Sequence, residues 1–177
     1  MSDWRALARA LAMQCLTQLD VQGPDFLPEM DAFIAEANVT SDSKSLAAEL
    51  TRIAWNNKQV CDQYIADTVK HWQLQRIALI DRAILRLAIA ELLYRTNVPI
   101  KVVLDQAIEL AKKFSTAESP QFINGVLDAI AKKLQELGAA EPQVRTTEQT
   151  PGDKTTTSSE TSDETSDTSM NPLDSDF

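Results

Sequence analysis

A chain of 177 residues, 44% hydrophobic but only 6% aromatic, suits one domain with an aliphatic core plus an extension. Only 4 glycines and a scarcity of β-branched runs argue against sheet. The net charge of −9 is uneven: residues 1–140 carry 15 Lys and Arg against 17 Asp and Glu, whereas 141–177 carry 2 against 9, so the acidity belongs to the C-terminal segment and does not exclude a nucleic-acid partner for the rest.

Residues 3–20 read as a first helix, with Leu7, Ala8, Leu11, Cys15 and Leu19 as its apolar stripe, Ser2 or Asp3 as its cap, and Gly23-Pro24 as its end. A second, shorter helix is expected over 25–37, facing inward through Met30, Phe33, Ile34 and Ala37; Pro28 is tolerated in its first turn. After a polar connection, residues 45–71 carry the strongest 3.6-residue periodicity, from Leu46 and Leu50 to Ile65 and Val69. They read as one helix kinked near Trp55-Asn56-Asn57. Residues 80–95 are apolar around most of the circumference, the mark of a central helix. Asn97-Val98-Pro99 breaks it, and Pro99 opens a helix over 100–114 that points Val103, Ala107, Leu110 and Phe114 inward. Glu109 and Lys113 are expected to pair on its outer face. Ser119 is read as the cap of the last helix, Pro120 as its first residue and Gly138 as its stop. No alternating strand pattern occurs, so the expected fold is all-α over 1–140. Residues 141–177 form a Ser/Thr-rich acidic tail too polar to offset the entropy of ordering, and are predicted to be disordered.

Enzyme chemistry finds little support. Cys15 and Cys61 fall on apolar faces without metal-ligand spacing and read as buried thiols. The single histidine, His71, adjoins Trp72 at a helix end and reads as packing or capping. No nucleophile–base pair, metal constellation or glycine-rich phosphate loop is present, so no catalytic residue, metal or cofactor is assigned. No signal pattern opens the chain, and Arg86 and Glu91 interrupt its longest apolar stretch, which predicts a cytoplasmic protein.

The stretch Phe122-Ile123-Asn124-Gly125-Val126-Leu127-Asp128 places a dipeptide typical of turns inside a helical pattern. Glycine there costs roughly 1 kcal/mol against alanine, which a helix absorbs where another backbone must come close. Gln121, Asn124 and Asp128 form a polar stripe beside the core face. From spacing alone the stripe is either an ordinary solvated face or a surface for reading the edges of unstacked bases.

These motifs resemble those of the NusB family of transcription antitermination factors. The similarity is carried by Leu85-Arg86-Leu87-Ala88, Glu91-Leu92, Val98-Pro99, Glu109-Leu110-Ala111-Lys112 and the run from Phe122 to Asp128, with Arg9, Ala12, Gln14 and Leu16 matching the first-helix signature. It spans about residues 5–137. The resemblance implies two small helical bundles, 1–72 and 73–140, in a non-enzymatic factor that is a monomer or homodimer. It implies binding to single-stranded boxA RNA in ribosomal RNA leaders, together with NusE (a small-subunit ribosomal protein), and action on elongating RNA polymerase. Position by position, Arg5, Arg9, Gln14, Phe122, Asn124 and Asp128 would lie at the RNA surface and Glu91 would face NusE. Arg86 would serve that partner surface or hold the two bundles together. Similar helical modules also precede the Rossmann-type domain of some RNA cytosine methyltransferases. The acidic tail found here in its place favours the free-standing factor, and a helical adaptor without an RNA role is the remaining alternative.

The chain departs from the family pattern where RNA contacts are expected. Ala6 and Leu7 stand within a usual arginine cluster, Thr17 replaces a usual aromatic, and Asp105-Gln106 replaces Asn-Glu. Each lost cation removes a phosphate contact, and each lost ring removes a stacking platform worth roughly 1–3 kcal/mol per base. The isolated protein should therefore bind boxA-type RNA weakly and with a shallow salt dependence, gaining useful affinity beside its partner. Titration from low to moderate salt checks this, and nanomolar binding by the isolated protein contradicts it.

Overall fold

Asp3 accepts the Arg5 amide at 3.0 Å and so caps the first helix. The structure is a computed structural model that describes residues 3–70 and 73–140. His71, Trp72 and the whole acidic segment 141–177 lie outside the described residues, and so do the expectations placed on them. Among the described residues seven α-helices follow one another: α1 Trp4–Gln22, α2 Leu27–Glu36, α3 Ser41–Asn56, α4 Lys58–Thr68, α5 Leu79–Tyr94, α6 Ile100–Phe114 and α7 Ser119–Ala140. No strand occurs among the described residues, as the periodicity requires.

Gly23 ends α1 with φ at 74°, a conformation that glycine adopts without steric penalty. A short 3-10 turn, Gly23–Phe26, then leads into α2, so that helix starts two residues later than its apolar pattern suggested. The long periodic segment forms two helices rather than one kinked helix. At the break, Asn57 Nδ2 donates to the Ile53 carbonyl at 2.8 Å, competing with the backbone amide for the same acceptor. Thr40 caps α3 through its side chain.

The last helix also differs from expectation at both ends. Ser119 is its first residue, not its cap: its hydroxyl donates to buried Asp81 at 2.8 Å, while Phe122 N–H bonds the Glu118 carbonyl. Ser115 donates to the same carboxylate at 2.6 Å, so Asp81 in the first turn of α5 gathers the α6–α7 connection. Gly138 does not stop α7, which continues to Ala140. On α6, Glu109 pairs with Lys112 at 2.7 Å instead of with Lys113, whose ammonium lies over the Phe114 ring.

Helix α1 packs most extensively on α3, and α6 on α7. Helix α5 lies against α1, α3, α4, α6 and α7, which is why its pattern is apolar on almost every side. Ten of its residues are buried, including the charged Asp81, Arg86 and Glu91. The N-terminal and C-terminal helices thus meet on α5, within one compact unit.

Candidate nucleic-acid interface

Helix α7 keeps its core face down through Ile123, Val126, Leu127 and Ile130. The helical period then turns Gln121 and Asn124 outward and leaves Asp128 half-buried. The ribbon is open to solvent. Asn124 and Asp128 line a cleft of about 360 Å³ between α6 and α7, with Lys101 and Asp105 opposite them. Asp128 accepts from Lys132 at 2.8 Å in an exposed pair, and that hydrogen bond raises the lysine's pKa. Two amides (Asn124 and Gln135), two carboxylates (Asp105 and Asp128) and two ammonium groups (Lys101 and Lys132) on one cleft offer both polarities of hydrogen bond. Phe122 is half-buried and packs against the core from the same helix.

Gly125 does not serve the close approach expected from sequence. A Cβ placed there would meet nothing within 4 Å, so the fold does not require a missing side chain at this position.

Helix α1 distributes its three matched residues differently. Gln14 is exposed and lines a shallow hollow of about 140 Å³ with Met13, Thr17, Ile80 and Phe114. Thr17, standing where the family has a ring, donates its hydroxyl back to the Met13 carbonyl at 2.8 Å and leaves the hollow mainly apolar. Arg5 is exposed, with its guanidinium 4.6 Å from the centre of the Trp4 ring. Arg9 is not at the surface. It is 4% exposed, and its Nε and Nη2 each donate to Glu91 at 2.8 Å.

The same bond corrects the expectation for Glu91. At 2% exposure, with both oxygens engaged by Arg9, its carboxylate does not face a partner; it ties α1 to α5. Arg86 is likewise buried. It donates to both oxygens of Asp62 on α4 at 2.6 and 2.8 Å, and to both oxygens of Asp20 on α1 at 2.6 Å. Arg82 adds a bond to Asp20 at 3.1 Å. Burial by itself would lower the Arg86 pKa, but the bonds from Asp62 and Asp20 leave it raised. This geometry ties α5 to α1 and α4.

The sequence reading missed Trp4, Arg95 and Asn97, which share a cleft of about 390 Å³ with Arg5 and Arg9. The conjunction joins residues some ninety positions apart, and no local pattern announces it. It also missed Lys101, which reaches Asn124 and Asp128 only through the α6–α7 packing. The cysteine reading is consistent with the packing: burial pushes the thiols up, Cys15 to about 11 and Cys61 to about 12, so both stay protonated and unreactive at neutral pH. Among the described residues no cluster of three or more His, Cys, Asp or Glu could hold a metal ion. No described helix is long and apolar enough to cross a membrane.

The NusB family model matches residues 6–132. The chain belongs to the NusB family. It is 35% identical to the transcription antitermination protein NusB of Symbiobacterium thermophilum, over 79% of this chain and 97% of that protein. It is 41% identical to NusB of Geotalea uraniireducens, over 73% of this chain and 95% of that one. Among solved structures, T. maritima NusB superposes with a TM-score of 0.65 at 31% identity, covering 75% of this chain and 94% of its own. A chain from a crystal structure of antitermination factors NusB and NusE in complex with dsRNA gives 0.67 at 28% identity, covering 75% and 99%. NusB proteins are transcription antitermination factors, not enzymes, and this chain is one of them.

Removing the Arg86 head group strands Asp62 and leaves buried Asp20 with Arg82 alone. Arg86→Met should lose about 3–5 kcal/mol of stability in urea unfolding. Unchanged stability with loss of partner binding would instead make Arg86 a partner contact.

Proposed function

We propose that this chain binds boxA-type single-stranded RNA in ribosomal RNA leader transcripts together with NusE, and that the complex acts on elongating RNA polymerase in the cytoplasm. The observation that carries the reading is the solvent-open ribbon of Gln121, Asn124 and Asp128 on α7 of a NusB-family protein, the last two sharing a cleft with Lys101. Family membership supports the antitermination role, and the related NusB–NusE complex holds RNA. That complex contains dsRNA, so the preference for a single strand rests on the unstacked base edges such a ribbon can reach.

In this reading Gln14, Asn124 and Asp128 offer hydrogen bonds to bases, Phe122 lies in the same α7 turn as Asn124, and Arg5 supplies phosphate contact. Arg9 contributes through its hold on Glu91, since both its donating nitrogens on that side are engaged.

Anisotropy titration of a labelled boxA-type strand, alone and with NusE, tests the assignment. Asn124→Ala and Asp128→Ala should each weaken binding by about 1–3 kcal/mol while shifting stability by less than about 0.5 kcal/mol. Gly125→Ala should stabilise α7 by up to about 1 kcal/mol, because the added methyl meets no neighbour. Lower stability with unchanged affinity per folded molecule contradicts the reading, as does equal affinity for an unrelated duplex.

A further inference from the structure

The start of α1 is flanked by two cavities. The first lies against the C-terminal end of α6 and includes Ala6 and Ala10. The second, of about 390 Å³, opens on the other flank between α1 and the α5–α6 turn, and its chemistry is different. Trp4, Arg5, Arg95, Asn97 and Val102 form its walls, with Arg9 at its buried floor.

Charge pairing decides what this second cleft can accept. Glu91 is one turn before Arg95, which caps the end of α5, and would be its natural counter-ion. Both Glu91 oxygens are taken by Arg9, so the floor pair is neutral and leaves Arg95 to others. The contact Arg95 makes with exposed Glu49 is long, at 3.7 Å, and weak in solvent. Arg5 meets the indole face of Trp4, which does not neutralise its charge. The Arg95 backbone is fixed at the same time: its N–H bonds the Glu91 carbonyl at 2.9 Å, and its own carbonyl accepts Val98 N–H at 2.9 Å. Two under-neutralised guanidiniums, an aromatic face, a side-chain amide and the exposed Val102 therefore border one cavity.

We infer that this cleft holds one nucleotide of the RNA strand, with its phosphate between Arg5 and Arg95 and its base against Trp4 and Val102. The inference rests on the RNA-binding reading above and adds a site on the opposite flank of α1 from the α1–α6 cavity. A carboxylate partner needs a guanidinium fork alone, whereas paired cations beside a π-face are the combination that holds single-stranded nucleic acid.

The test uses the full chain with NusE and a labelled boxA-type strand, titrated at several salt concentrations. Arg95→Gln should weaken binding about five- to tenfold and reduce the slope of log affinity against log salt by about 0.7. Arg95→Lys should keep the slope while losing some affinity, since the charge remains but the fork is gone. Asn124→Ala should weaken binding without changing the slope. If Arg95→Gln leaves affinity and slope unchanged while Asn124→Ala weakens binding, the cleft assignment alone is overturned. Loss of NusE capture with RNA binding intact also overturns it, by making the cleft a protein site. Failure of the unmodified protein to bind RNA overturns both readings.

Discussion

A central helix sealed on nearly every side must find partners inside the protein for each charge it carries. Helix α5 meets that constraint in full. Asp81 takes two serine hydroxyls from the α6–α7 connection, Arg86 spans Asp20 and Asp62, and Glu91 receives the bidentate fork of Arg9. No buried side-chain nitrogen or oxygen among the described residues lacks a hydrogen-bond partner. Because the partners come from α1, α4 and the α6–α7 junction, satisfying α5 also sets where those elements sit. Apolar packing alone would tolerate a helix sliding or rotating; a two-bond fork and a four-bond guanidinium tolerate far less.

That internal frame is what leaves an outer surface for recognition. With Arg9 held inward, Arg5 one turn earlier stays exposed on the same side of α1. With Asp81 fixing the start of α7, the helix enters in a rotation that buries Ile123 and Val126 and exposes Asn124. Charged residues here divide into two kinds. The buried ones organise the fold, and the exposed ones, together with the amides, offer contacts to a ligand.

The helices were legible because apolar spacing alone decides which residues face inward, and α6 matched its expected bounds of 100–114. The break at Asn57 was harder to read, since apolar spacing continues across it while a side-chain amide interrupts the backbone ladder. Gly138 misled for a related reason: a glycine is only permitted to end a helix, and nothing here forces it to. The ribbon on α7 was legible because its residues share a few turns of one helix. Arg9 and Glu91 were expected at surfaces because the family resemblance was carried over to them position by position, and their pairing across 82 positions is invisible to local pattern. The contrary signal was present: a carboxylate on a helix apolar nearly all round is prone to burial, and so needs donors from elsewhere in the chain. The cleft shared by Trp4, Arg5 and Arg95 gave no such signal, since only the tertiary packing creates it.

A double-mutant cycle on Arg9 and Glu91, read by urea unfolding, tests most directly whether buried ion pairs on α5 hold this frame. Arg9→Met and Glu91→Leu should each lose about 3–5 kcal/mol, because each strands its partner's charge, and the double variant should lose far less than their sum. Losses that simply add, or single variants as stable as the unmodified chain, would contradict the account.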